Sequence, residues 1–275
     1  MIADETVAVA GFGFIWEWHW QLPLLVALVV AESGYLALLV WSARRGRESQ
    51  HSGSALACFT AGIVVVALAV MSPIGANDER LLSMHMLEHA LLMWVAAPLL
   101  VLGVLPLITD EHWLPELVRR LFKFVTRPPV ALTIATFLVW AWHAPSAYGL
   151  ALTNNAAHGV EHLCYLAANF IYWWPLMAAP SMIGGLRSNA ARAGYLIAGS
   201  LQFGLLAALL TFADHVWYPH YLYVTGATAA SALADQRLAG ALMLYPGAIV
   251  FVVAAVLTIS TWDSGRERAA AAVGA

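Results

Sequence analysis

The sequence predicts an all-α integral membrane protein, a polytopic bundle of seven transmembrane helices. Of its 275 residues, 61% are hydrophobic and only 11% are charged, whereas a soluble domain is typically about 25% charged. A hydrocarbon core of about 30 Å needs roughly 20 apolar residues per helix. Seven stretches meet or nearly meet that length, at residues 22–41, 54–71, 81–105, 130–143, 157–177, 193–212 and 238–259. We therefore expect residues 1–275 to form a single integral membrane domain.

Composition argues against several other classes of protein. The net charge is −3 and no long basic tract is present, so nucleic acid is not an expected partner. The two cysteines, Cys58 and Cys164, lie far apart inside apolar runs and indicate no disulfide framework. The N-terminus lacks the basic segment of a cleaved signal peptide, so the first apolar run is expected to remain as a span.

The placement of basic residues predicts a topology with the N-terminus outside and the C-terminus in the cytoplasm. Only Arg80 and Arg237 then fall outside, and the other eleven of the thirteen Lys and Arg lie on the inner side, as cytoplasmic loops prefer. These eleven are Arg44, Arg45, Arg47, Arg119, Arg120, Lys123, Arg127, Arg187, Arg192, Arg266 and Arg268. Removing the short fourth span would move Arg187 and Arg192 outward, which favours seven spans over six. Segment 113–125 has apolar positions at helical spacing and is expected to lie along the inner surface.

Two copies of the pattern His-x-x-Glu-His, at residues 85–89 and 158–162, open the third and fifth predicted spans. Positions i and i+4 share one helix face, and ionisable side chains at membrane depth indicate a functional site. Both spans run from outside to inside, so the two motifs enter the bilayer at the same depth. If the helices pack side by side, four imidazoles converge in a volume the size of one or two metal sites. His143 ends the fourth span nearby and is expected to assist.

Met84 and Met86 flank the first histidine of the earlier motif. Imidazole suits copper, zinc, iron and nickel, whereas thioether sulfur selects Cu(I). A mixture of His and Met on the outer face therefore favours copper, as Cu(I), although both methionines are also explained as apolar filler. Glu88 and Glu161 have two open interpretations: they fix a histidine tautomer by hydrogen bonding, or they cap helix N-termini. Asp235, just before the seventh span, is a loop residue that could reach the same pocket.

The paired histidines leave other functions open. Histidines on separate helices could be axial ligands of a b-type haem. The pattern His-x-x-Glu-His also matches the inverted zincin motif of a membrane metallopeptidase, in which two histidines bind zinc and the glutamate is the base. A third alternative is purely structural, with each histidine bonded singly to backbone or carboxylate groups.

The chain resembles the seven-span CtaG-type cytochrome c oxidase assembly factors. The residues that carry the resemblance are 84–89, 142–145, 158–162, 173–175 and 233–240, and they match in order and spacing. The resemblance implies a multi-pass protein of the bacterial inner (plasma) membrane, a copper chaperone of the respiratory chain rather than an enzyme. It would bind or deliver copper at the outer face during oxidase maturation, with haem–copper oxidase subunits and a periplasmic copper carrier as partners. The ligands would be His85, His89, His143, His158 and His162, with Met84 and Met86.

Overall fold

The computed structural model describes residues 14–45, 52–108, 114–179 and 181–273, and within these residues it is all-helical, without strands. Each of the seven apolar stretches coincides with a helix, which confirms the all-α fold class. The helices are α1 Leu22–Arg44, α2 Ser52–Met71, α3 Leu82–Leu91, α4 Ala97–Ile108, α5 Glu116–Val125, α6 Pro128–His143, α7 Pro145–Thr153, α8 Asn155–Met177, α9 Asn189–Thr211, α10 His220–Val224 and α11 Ala229–Val273.

Within the described ranges, five helices are long and apolar enough to cross a membrane, and they cover Leu22–Arg44, Gly53–Asn77, Leu82–Ile108, Asn189–Thr211 and Ala229–Val256. The pair α5 and α6 would add a sixth span, but the two helices are bent by 74° to each other. Helix α8 has 23 residues, yet the polar residues of its His-x-x-Glu-His motif lower its apolar content. The count of seven spans and the orientation of the termini stay predictions. Of the basic residues behind that orientation, Arg47 and the side chains of Arg266 and Arg268 lie outside the described part of the chain.

Helices α3 and α4 form one rod that is interrupted by a π-helical turn at Leu92–Ala96. Proline at position 98 has no amide to donate to the carbonyl of Trp94, four residues earlier, so the widened turn accommodates it. The indole of Trp173 in α8 donates to the carbonyl of Met93 inside this turn at 2.9 Å. The rod continues past Pro98 and Gly103 to Ile108.

The rod occupies the centre of the bundle. Helix α2 packs along α4, α8 packs against α4 and α6, and α11 packs against α3 and α9. Large apolar side chains from α3, α4, α8, α9 and α11 form most of the main hydrophobic cluster. The start of α8 is fixed by Asn154, whose side chain accepts from the amides of Ala156 and Ala157. This cap fixes the first turn of α8, in which the second motif begins.

Helix α5 is amphipathic and leaves one apolar side uncovered. Leu117, Leu121 and Phe124 are exposed, while Phe122 packs edge-to-face on Trp174 with ring centroids 4.7 Å apart. This is the arrangement expected of a helix along a membrane surface. Trp113, which begins the predicted segment, lies outside the described residues.

Candidate metal centre

Six side chains from the two motifs meet at one end of the bundle, and we call them the histidine–carboxylate cluster. Because i and i+4 share a helix face, each motif presents both of its histidines toward the other helix. The matched first histidines have ring centroids 5.2 Å apart, and the matched second histidines have centroids 5.6 Å apart. Helices α3 and α8 are therefore parallel and in register, as the sequence predicted. The members are His85, Glu88 and His89 from α3, and His158, Glu161 and His162 from α8.

Each glutamate contacts histidines of the opposite helix. Glu161 places its two oxygens 3.6 Å from Nε2 of His85 and 3.8 Å from Nε2 of His89. In the other direction, Glu88 lies 3.4 Å from Nε2 of His162. The N-terminus of α8 is capped by Asn154 and not by a glutamate. Both glutamates face histidines, but no hydrogen bond of theirs fixes a tautomer among the described residues.

Among the described residues, the cluster and nearby Asp78 form three groups whose potential ligand atoms lie within 4.8 Å of one another. Two of them each combine both histidines of one motif with the glutamate of the other motif. The third joins the first histidine of each motif to Asp78, a residue of the connection between α2 and α3. The groups are His85, His89 and Glu161, which we call the inner set; Glu88, His158 and His162, the outer set; and Asp78, His85 and His158, the linking set.

The cluster fits a cation because its polar atoms are buried without hydrogen-bond partners. Both ring nitrogens of His85 and of His89 have no partner among the described residues, and neither do the carboxylate oxygens of Glu88 and Glu161. All four of these side chains are fully buried. Leaving such groups unpaired is costly, more so for a carboxylate than for an imidazole. A bound cation would satisfy nitrogens and oxygens together, since imidazole and carboxylate are both metal ligands.

His143 adjoins the cluster without belonging to any of the three sets. Its ring centroid lies 6.2 Å from that of His89. Its Nδ1 lies 2.7 Å from the carbonyl of Val139 and 3.0 Å from the hydroxyl of Tyr165. A carbonyl only accepts, so the ring proton lies on Nδ1 and Nε2 carries a lone pair. That Nε2 is buried and has no hydrogen-bond partner among the described residues, so it is available to an ion.

Tyrosines cover the cluster at its side. The Tyr148 ring lies 4.9 Å from the ring of His85 and 4.1 Å from that of Tyr218. The hydroxyl of Tyr148 bonds to that of Tyr221 at 2.9 Å, and Tyr221 in turn donates to the carbonyl of Asp78 at 3.0 Å. Helix α7 thus holds an aromatic ring over His85, and Tyr221 of α10 fixes the connection that carries Asp78.

A cavity of about 620 Å³ reaches the cluster at the two histidines of the α8 motif. His158 and His162 line it, and their side chains are 14% and 12% exposed, whereas those of His85 and His89 are fully buried. Asp78 lines the same cavity and lies 3.5 Å from Nε2 of His158. Burial, with a smaller effect of neighbouring Glu79, raises the pKa of Asp78 to about 7.

The other residues considered from the sequence have other surroundings. Met86 is fully buried in the main hydrophobic cluster, and Met84 is partly buried; their role as ligands stays a prediction. Asp235 is on α11, not in a loop, and its Oδ2 accepts from the amide of Ser83 at 3.3 Å, near the start of α3. Cys164 is a free, partly buried thiol that belongs to none of the three sets.

Sequence reasoning did not predict the roles of Asp78 and Tyr165. A tyrosine within an apolar run looks like ordinary filling, and an aspartate between two spans looks like a loop residue. One signal was available for Tyr165: it lies four residues after Glu161 and therefore on the same face of α8.

These observations define a multi-helix membrane protein with a buried cluster of histidines and carboxylates at one end of its bundle. The profile of the family described as cytochrome c oxidase caa3 assembly factor (Caa3_CtaG) matches residues 33–264, and the chain belongs to this family. The resemblance inferred from the motifs is confirmed.

Two mycobacterial proteins are also similar to the chain, one from Mycobacterium bovis and one from Mycobacterium tuberculosis. Each is 23% identical over 264 residues, an alignment that covers 88% of this chain and 39% of the relative. Both are named only as uncharacterized proteins, and the chain spans well under half of their length. No solved structure matches the chain.

Proposed function

We propose that this protein binds copper in the histidine–carboxylate cluster and delivers it to a haem–copper oxidase during assembly. The observation that carries the proposal is the reciprocal contact of two buried glutamates with the histidines of the opposite helix, with no hydrogen-bond partner for these groups among the described residues. Family membership supplies the oxidase as the object of assembly. The role we propose is non-catalytic: the protein holds and releases an ion.

Donor chemistry supports copper as the cargo. Imidazole and carboxylate ligands bind divalent first-row metals in an order that peaks at Cu²⁺. The two thioethers beside His85, from Met84 and Met86, would add affinity for Cu⁺ if either turned toward the cluster. The clustered donors thus suit Cu²⁺, and the neighbouring sulfurs suit the reduced ion.

The alternatives from the sequence receive less support from the same geometry. An axial haem ligand needs a free face onto a porphyrin, but Nε2 of His85 and of His89 each lie against a carboxylate oxygen of Glu161. In the inverted zincin pattern the glutamate acts beside the histidines of its own motif, whereas Glu88 lies against His162 of the other one.

We further propose seven spans in the bacterial inner membrane, with the cluster at the periplasmic face. Two spans beyond the five apolar ones would be α6, which is short at 16 residues, and α8, whose polar residues would be shielded inside the bundle. This arrangement follows the predicted positive-inside topology. It places the 620 Å³ cavity where a periplasmic copper carrier and oxidase subunits could reach it.

The double substitution of His85→Ala with His158→Ala tests the copper assignment. We expect the wild-type protein, purified in detergent and exposed to copper, to retain the metal, and the double variant to lose it. The matched control is His215→Ala, because His215 is an exposed histidine outside all three sets. Unchanged copper retention in the double variant would overturn the assignment of ligands. In cells, the double variant should also lower the copper content of the purified oxidase.

A further inference from the structure

The inner and outer sets share no residue. The inner set uses both histidines of the α3 motif and the glutamate of α8, and the outer set uses the remaining three side chains of the cluster. All six motif residues are therefore used once. The linking set, in contrast, takes one histidine from each of the other two sets and competes with both.

The contact distances suit shared ligation better than hydrogen bonding. The four Nε2–carboxylate distances are 3.4, 3.5, 3.6 and 3.8 Å, beyond the usual range of about 2.7–3.2 Å for a hydrogen bond to nitrogen. Two ligand atoms that each lie about 2.1 Å from one tetrahedral ion are separated by about 3.4 Å. The nitrogens and oxygens already stand near that separation.

Access differs between the two sets. His158 and His162 of the outer set line the cavity, while all three side chains of the inner set are fully buried. Asp78 also lines the cavity and belongs to the linking set together with His85 of the inner set. An ion that enters from the cavity meets the outer and linking sets before it reaches the inner one.

We infer that the histidine–carboxylate cluster is a two-ion centre, in which the inner set is filled through the outer end by way of Asp78. The inference rests on the proposed function for the identity of the cargo, but not for the number of ions. Each ion would have two imidazoles and one carboxylate, with further positions open to His143, water or an incoming ligand. One chain would then deliver a pair of ions from adjoining positions.

Zinc is the probe for the count, because it is redox-silent and accepts the same nitrogen and oxygen ligands. We expect the full chain in detergent, equilibrated with Zn²⁺ and desalted, to hold two ions by elemental analysis. His89→Gln removes a member of the inner set only, and His162→Gln removes a member of the outer set only, so each should hold one. The control His215→Gln should hold two.

A wild-type count of one, or a complete loss of zinc in either single variant that unfolds at the same temperature as the wild type, would overturn the two-ion inference. The copper proposal would survive that result, because it depends on copper retention and on oxidase copper content. Conversely, two bound zinc ions without copper retention would support the two-ion count and refute copper as the cargo. The wild-type count decides the question even if a variant is poorly folded.

Asp78→Asn tests the route. Stopped-flow filling with Zn²⁺, followed by a fluorescent zinc indicator, should show two phases in the wild type. In the variant we expect the slow phase to be at least tenfold slower while the final count stays at two. A slow phase unchanged by Asp78→Asn would refute the passage through the linking set.

Discussion

The substitution Glu161→Gln tests the reciprocal use of carboxylates most directly. It keeps the shape of the side chain and removes one negative charge that faces His85 and His89 at 3.6 and 3.8 Å. A cation held by these two imidazoles would lie within about 4 Å of the carboxylate, where unit charges interact by about 4 kcal/mol at an effective dielectric constant of about 20. At about 1.4 kcal/mol per factor of ten, this corresponds to roughly a thousandfold in affinity. Since the amide oxygen of Gln remains a weak ligand, we expect a loss of about 100- to 1000-fold.

The assay is a competition titration of the purified chain against a chromophoric copper chelator of known affinity. The matched control is Glu79→Gln, because Glu79 is an exposed carboxylate that lines the same cavity and belongs to none of the three sets. It should change the affinity by no more than a few fold, as expected for a screened surface charge. Equal losses in the two variants would mean that general negative charge, rather than ligation, attracts the ion.

Two further predictions concern stability and are measured by unfolding in detergent. A Cβ atom at Gly199 would lie 1.9 Å from the hydroxyl oxygen of buried Tyr172, so Gly199→Ala should cost about 1–3 kcal/mol of unfolding free energy. Gly194, on the same helix, has nothing within 4 Å of such an atom, so Gly194→Ala should be neutral or slightly stabilising. Equal effects at both sites would contradict the close packing of Gly199 on Tyr172. Asp235→Ala leaves the buried amide of Ser83 without its acceptor and should cost about 1–3 kcal/mol of unfolding free energy. Asp235→Asn keeps an acceptor oxygen and should cost less. Identical losses of unfolding free energy in the two variants would argue against this hydrogen bond.

The helices were predictable because lipid imposes a length and an apolar composition on anything that crosses it. The predicted span 81–105 corresponds to the rod of α3 and α4, and span 157–177 to α8. The π-helical turn at Leu92–Ala96 was not predicted. A proline within an apolar run indicates local distortion, but the choice among a kink, an end and a widened turn depends on the packing of neighbours such as Trp173.

The candidate site was predictable to the level of helix faces. The i, i+4 spacing placed His85 with His89, and the common direction of the two spans placed both pairs at one depth. The partner of Glu161 was not predictable, because a glutamate next to a histidine in sequence points about 100° away from it around the helix. Only the packing of α8 against the rod determines that its carboxylate meets the other motif. The part played by Asp78 likewise depends on how the connection between α2 and α3 folds back.

The crossing of carboxylates between α3 and α8 means that the inner and outer sets each combine two histidines of one helix with the glutamate of the other. A slide or rotation of one helix would shift nitrogen relative to oxygen in both sets at once, because each set takes side chains from both helices. Bound cations would equally resist that motion and tie the two helices together. Separation of this one helix pair would therefore open both proposed ion positions in a single event, without the exchange of ligands one after another.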